Sequence, residues 1–339
     1  MALEAFLKIF REKAASVEGG LLSYRDFIDL ALYHPKVGYY RRSHKRIGYT
    51  ARTDFYTAVS LGPMFGRLVV AAIRRLLGKD VCERSTFVEI GAEPGQGLLD
   101  GLEHPFAAVH VLRRDDPMEI PAHAVVFANE LLDAQPFHRL RVQSGHWQEL
   151  GVRLKPQSVG GTLEEAPLPQ PTPEAATVIS ELPSTLPEGY CVDLPLPAET
   201  FLARIVTLPW KGLWLTFDYG TSLNELLTAH PHGTGRTYRR HRLGKSLLEH
   251  PGESDITCHL CWDRLTAVLK QNPSCSISSI GCEPQERFFM TYAREAIEPI
   301  VTSTTAAQPF TPEAQTLKQL LHPGHMGLKF QAFWAIRQP

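Results

Sequence analysis

The run Phe87-Val88-Glu89-Ile90-Gly91-Ala92-Glu93-Pro94-Gly95-Gln96-Gly97 joins an apolar stretch to a carboxylate and then to a glycine-rich turn. That order suits a nucleoside ligand held at the carboxyl end of a parallel strand. Gly91, Gly95 and Gly97 allow the backbone to turn tightly and to approach a ligand closely. Glu89 offers a fixed negative acceptor beside them. The spacing is not the G-x-G-x-x-G of a dinucleotide site, because Glu93 stands where the second glycine belongs, and no lysine follows to make a phosphate loop. A carboxylate there repels a pyrophosphate and favours a cationic ligand. S-adenosylmethionine, with its sulfonium and ammonium, fits that better than NAD. The plainer alternative is a strand-to-helix turn with no ligand.

A second cluster follows the apolar run ending at Phe127-Ala128. Asn129, Glu130 and Asp133 stand where an open α/β sheet binds its ligands, and their types suit an amine or a guanidinium. Asn129 also reads as a helix cap, and Asp133 as a solvated acid. Asp218-Tyr219-Gly220 repeats the pattern, or is a simple exit from a strand. The basic run Arg236 to Arg242, with Tyr238 inside it, has the composition of a phosphate or RNA contact and equally that of a solvated loop. Cys258-His259-Leu260-Cys261 has the spacing of half a zinc site, but Cys275 and Cys282 are badly placed to complete it, so buried inert thiols and no metal are expected.

These residues need elements to hold them. Helical patterns cover residues 3–15 and 24–33, with Ser23 as a cap, and about Pro63 to Leu77, stopped at Gly78. Strands are expected at Thr86–Ile90, Val109–Leu112, Val125–Ala128 and Gly212–Phe217, with a short helix at Leu98–Glu103. Leu140–Val142 and Trp147–Leu150 flank Ser144-Gly145 as a hairpin. Lys155 to Glu188 reads as a mobile loop or insertion, and Leu223 to Gly252 as a second irregular one. Further helices are expected at Ala198–Thr207, Asp263–Leu269 and Phe288–Ile300, and an apolar strand, Leu328–Ile336, closes the chain. Strands alternating with helices point to an α/β sheet.

The composition sets outer limits. The 339 residues are 43% hydrophobic and 21% charged, with a net charge of −1. Such a chain has no global field for nucleic acid or anionic lipid. The six cysteines lack the spacing of a disulfide framework, so a cytoplasmic location is the expectation. No window reaches the ~20 apolar residues of a membrane helix.

In order along the chain, these pieces resemble the MidA family of S-adenosylmethionine-dependent methyltransferases, whose mitochondrial members are complex I assembly factors that methylate a protein arginine. Ser23-Tyr24-Arg25-Asp26-Phe27 and Ala31 to Tyr40 look like its opening signature. Asp54-Phe55-Tyr56-Thr57, Glu89-Ile90-Gly91, Ala128-Asn129-Glu130 with Asp133-Ala134, Asp218-Tyr219-Gly220, Gly233-Thr234, Asp255-Ile256-Thr257 and Met326 to Phe330 continue it. The chain departs where Glu93-Pro94 interrupts the glycines and where Cys261 replaces a later aspartate. It is also short. Gly97 and Val125 stand about 28 positions apart, room for one crossover rather than two. His110 to Asp115 aligns with the family's third strand, which leaves the second strand and its ribose-binding acid missing.

The resemblance implies a class I methyltransferase (Rossmann-like) α/β sheet, shortened between its first and fourth strands. A helical cap would occupy residues 1–62, and the α/β domain 63–339, with insertions at about 151–190 and 221–262. It implies an enzyme using S-adenosylmethionine on a protein side chain, arginine first. Glu89, Gly91, Gly95, Gly97 and Asp54 would line the cofactor site; Glu130, Asn129 and Asp133 would serve catalysis. The partner expected is a protein substrate, without nucleic acid or membrane. The alternative is a catalytically decayed scaffold that works as a binding or assembly protein.

Overall fold

The computed structural model describes residues 2–42, 46, 53–54, 58–95, 97–156, 161–271, 276–303 and 311–338. Lys45, Phe55-Tyr56-Thr57, Gln96 and Cys275 lie outside the described residues. The chain forms two compact units, each assembled from three segments: Tyr56–Leu132, Phe201–Gly220 and Arg264–Pro339 make one, and Met1–Phe55, Asp133–Thr200 and Thr221–Asp263 make the other.

The first unit, the sheet unit, is built on a six-stranded sheet. Its spatial order is Ser276–Pro284, Gln331–Gln338, Lys211–Asp218, His123–Asn129, Thr86–Ile90, Ala108–Leu112. The last four run parallel, and Gln331–Gln338 is antiparallel to both of its neighbours. Val125, Val126, Phe127 and Ala128 are all fully buried, the unbroken apolar run expected of a strand covered on both faces. The helix Pro63–Leu77 starts with proline in its first turn and stops at Gly78, whose φ is 81°. Both are ordinary helix punctuation. Its apolar stripe, Phe65, Leu68, Val69, Ala72 and Ile73, packs with Phe87, Phe127, Phe217, Phe288 and Phe289 in one core.

Four expectations for this unit change. Leu98–Glu103 is not a helix: residues 98–101 are turns. The Asp100 carboxylate accepts the Gly97 amide at 2.7 Å, Glu89 accepts the Leu98 amide at 2.7 Å, and Gly101 takes φ 73°. Each contact satisfies a backbone group in a non-helical way. Next, Ala108–Leu112 pairs directly with Thr86–Ile90, Val88 facing His110. It therefore takes the second place in the sheet rather than the third, and it is the edge. Third, the expected Phe288–Ile300 helix is two helices, Gln285–Tyr292 and Arg294–Ser303, parted at Ala293 (φ −116°, ψ 19°). Last, the closing strand begins at Gln331, after a wide π-type turn over Pro323–Gly327 that is broken at His325 (φ −111°, ψ −114°).

The second, composite unit opens with the helices Ala2–Ala14 and Tyr24–Tyr33. Ser23 caps the latter by accepting the Asp26 amide at 3.1 Å. Phe6, Phe10, Tyr24 and Phe27 are buried in its core. Antiparallel strands His138–Gln143 and His146–Leu154 form the expected hairpin, with Ser144 and Gly145 both at positive φ, as a two-residue turn requires. The 155–188 stretch corrects the sequence reading. It holds the strand Leu163–Pro167, paired with His146–Leu154, and the helix Pro173–Ile179, capped by Thr172. The 223–252 stretch holds a helix, Leu223–Thr228, and a hairpin of Arg236–Arg239 with Arg242–Leu243.

Candidate active site

Three parallel strands of the sheet unit end side by side. Ile90 is paired with Ala128, and Asn129 with Phe217. Glu89, the Gly91–Gly97 turn, Asn129, Glu130 and Asp218 thus share the carboxyl edge of one sheet, where open α/β sheets carry ligands.

Glu89 is 5% exposed. Burial raises its carboxyl to about 7, while the bond from the Leu98 amide pulls the other way and Asp100 adds to the rise. It is thus an acid poised near neutrality, which a cationic neighbour would return to its charged form. Gly91 and Gly95 take φ of 85° and 83°, the left-handed region that glycine enters without strain. A Cβ on Gly91 would come within 2.7 Å of Leu131 Cδ1, whereas one on Gly95 would meet nothing among the described residues within 4 Å. Gly91 is therefore required by packing as well as by its turn, and the turn is open at Gly95. Gly97 lies over Glu89: a Cβ there would stand 3.3 Å from Glu89 Oε2.

Glu130 sits at φ 50°, with its amide donating to Phe217 O at 2.9 Å. Its Oε1 accepts Asn129 Nδ2 at 3.0 Å and the Ala58 amide at 3.3 Å. A non-glycine residue held at positive φ directly after a strand is strained, and such strain gathers at functional sites. Asn129 Oδ1 is buried and has no hydrogen-bond partner among the described residues. An orphaned buried acceptor costs about 1–3 kcal/mol, so a donor belongs there. Asp218, in contrast, is fully buried and accepts the Leu132 amide and its neighbour Tyr219's amide, both at 2.9 Å. It closes the strand end, as the plainer reading of Asp218-Tyr219-Gly220 has it.

Two expected site residues, Asp54 and Asp133, belong to the composite unit. Asp54 accepts the Tyr39 hydroxyl at 2.9 Å and the Arg240 amide at 2.8 Å. Asp133 is 3% exposed, which excludes the solvated acid. Nearby, Tyr40 donates to Asp255 at 2.9 Å, and burial raises Asp255 to about 6. The grouping of Tyr39, Tyr40, Asp54 and Asp255 went unread in the sequence, although Gly38-Tyr39-Tyr40 and Asp255-Ile256-Thr257 were both singled out. Leu131 and Asp100 were also missed; the Gly97-x-x-Asp100 spacing was the available signal for the latter. Among the described residues no group of three or more His, Cys, Asp or Glu could hold a metal ion.

The sheet-unit cluster fits a cation-bearing nucleoside ligand. It has a turn open at Gly95, a near-neutral buried acid, a vacant carbonyl acceptor and no basic side chain between residues 91 and 97.

The fold matches a Burkholderia thailandensis protein crystallised with S-adenosyl-homocysteine (TM-score 0.84, 23% identity, 99% of this chain and 92% of that one). It also matches a native crystal structure of a protein from the same organism (TM-score 0.81, 23% identity, 99% and 92%). At such identity the likeness establishes a shared mixed α/β fold. In sequence the chain is 27% identical over 222 residues to a Drosophila melanogaster protein named protein arginine methyltransferase NDUFAF7 homolog, mitochondrial. That match takes in 61% of this chain and 46% of the relative, so the chain spans about half the length of that curated relative. Residues 107–280, half of the chain, match the family described as "Putative S-adenosyl-L-methionine-dependent methyltransferase". The chain belongs to that family of S-adenosyl-L-methionine-dependent methyltransferases.

Proposed function

We propose that the protein transfers a methyl group from S-adenosylmethionine to a nitrogen of a protein side chain, with the arginine guanidinium as acceptor. One observation carries the choice of residues: the vacant, buried Asn129 Oδ1 beside the strained Glu130 at the carboxyl edge of the central strands. The identity of the arginine acceptor is supported by the 27% identical Drosophila protein. Glu89, Gly91, Gly95 and Gly97 would hold the cofactor. Bound S-adenosylmethionine supplies a methyl group activated by its sulfonium. Asn129 Oδ1 and the Glu130 carboxylate would accept the N–H groups of a guanidinium and hold one nitrogen in line, and held geometry provides much of the rate. Because arginine stays protonated in water, a proton must leave during or after attack, and Glu130 would take it.

The sheet is read as a class I methyltransferase sheet that lacks one outer strand, with Ala108–Leu112 as its edge. A catalytically decayed scaffold is not favoured, since an orphaned acceptor and a strained acid are costly features to keep in an inert protein.

The test is methyl transfer from radiolabelled S-adenosylmethionine into hypomethylated protein, read as methylarginine by mass spectrometry. Glu130→Gln is expected to lower kcat about 100-fold or more and to leave S-adenosylhomocysteine affinity, read by calorimetry, within about threefold. Full activity in Glu130→Gln, or no cofactor binding at millimolar concentration, would overturn the proposal.

A further inference from the structure

The composite unit carries a groove of about 1140 Å³, and none of the sheet-edge residues Glu89, Gly91, Asn129 or Glu130 lines it. It is lined by the hairpin Arg236–Arg239 and Arg242–Leu243, by the loop that follows it, and by residues 161–163. Among the described residues its lining holds Arg239, Arg240, Arg242 and Lys245 and one carboxylate, Glu249. Glu249 already accepts the Lys245 amide at 3.1 Å. Arg239 shares Glu253 with Arg42, at 3.4 and 3.3 Å. Arg240, Arg242 and Lys245 are exposed and have no carboxylate partner among the described residues.

The groove is held in shape before anything binds. The Arg240 and His241 amides donate to Asp54 Oδ1 and O, both at 2.8 Å, which fixes the left-handed tip of the hairpin. The Gly244 amide donates to Thr237 O at 2.8 Å and fixes its base. A preformed cationic site loses little freedom on binding. Leu3 and Leu243 also line it, 48% and 62% exposed, and give it an apolar contact.

We infer that this groove is a docking site for an acidic, extended protein segment that carries a leucine-sized apolar side chain. The charge selects a polyanion, and the lining selects which. Among the described residues no Phe, Tyr or Trp lines the groove, and they offer no stacking platform of the kind on which single-stranded nucleic acid depends. Exposed leucines offer an apolar peptide side chain a contact that bases do not need. The inference goes beyond methyl transfer and does not rest on it.

Fluorescence anisotropy on the full chain, without any methyl donor, tests it. The probes are a labelled peptide of Asp and Glu with two Leu, its Asn and Gln counterpart, and oligouridylate RNA of equal length. The acidic peptide is expected to bind about tenfold or more tightly than the amide peptide at low salt, and to weaken as salt screens the charges. Arg242→Glu with Lys245→Glu is expected to lower its affinity about tenfold, and the milder Arg242→Gln with Lys245→Gln by less. Arg75→Glu with Lys79→Glu makes the same change of charge on exposed helical positions of the sheet unit and is expected to leave binding unaltered. Equal affinity for the amide peptide, tighter binding of the RNA, or the same loss in both charge-reversed proteins would overturn the inference.

Discussion

Glu89 joins chemistry and stability in one side chain. Its carboxyl is raised to about 7 by burial, against an ordinary value of about 4.3. The folded chain therefore holds that proton more tightly than the unfolded chain. The stability Glu89 contributes is complete below about pH 4.3 and is lost as pH rises through about 7, a loss on the order of 3 kcal/mol. Glu89→Gln keeps an acceptor for the Leu98 amide and removes the titration. Urea unfolding at several pH values between 4 and 8 is expected to show wild type losing ground to Glu89→Gln across that window. A pH-independent difference between the two proteins would show that Glu89 titrates normally. A cation bound beside Glu89 reverses the effect, so S-adenosylmethionine is expected to bind more tightly as pH rises from 6 to 8 and Glu89→Gln to lose that dependence. Calorimetry over the same range measures it.

At the scale of elements, Gly91 separates two causes that one glycine can have. Its φ of 85° strains any side chain, and its missing Cβ leaves room for Leu131. Gly91→Ala is expected to cost about 1–2 kcal/mol through the backbone, plus a contact part that Leu131→Ala removes. A double-mutant cycle by thermal unfolding is expected to show coupling above about 0.5 kcal/mol; strict additivity would mean that Leu131 moves aside freely. The sequence could reveal the φ requirement here but not Leu131, because glycine-rich turns look alike whatever lies across from them. The same divide runs through the fold. Ser23, Pro63 and Gly78 punctuate helices by contacts within a turn, and those helices were legible to within a residue or two. Leu163–Pro167 was hidden because its strand is made by pairing with His146–Leu154, a partner that local composition does not announce. Leu98–Glu103 looked helical because Glu89, which captures the Leu98 amide, acts from nine residues away, and because composition does not show Asp100 turning back onto the Gly97 amide. Glu89, Asn129 and Glu130 stand at the ends of apolar runs in the sequence, and the sheet brings those ends to one edge. Asp133 is where the chain enters the other unit, a boundary that the sequence does not mark.

Over the whole molecule, each unit is built of three chain segments and has its own core. Phe65, Phe127, Phe217 and Phe289 fill one, and Phe6, Phe10, Phe27 and Phe137 the other. A net charge of −1 leaves no overall field, so any preference for a charged ligand must arise within a unit, from Glu89 in one and from the 239–245 loop in the other. Hydrogen exchange resolves the two. A ligand stabilises the form it binds by about 2.7 kcal/mol when present at 100 times its Kd, and amides that exchange by opening of the binding unit inherit that protection. S-adenosylhomocysteine at such excess is expected to slow exchange in Thr86–Ile90, in His123–Asn129 and at residues 91–95. The acidic peptide is expected to slow it in Arg236–Arg239 and at residues 242–249. Protection by S-adenosylhomocysteine confined to the 236–249 region, with Thr86–Ile90 and His123–Asn129 unchanged, would move the cofactor away from the sheet edge and take the catalytic roles of Asn129 and Glu130 with it.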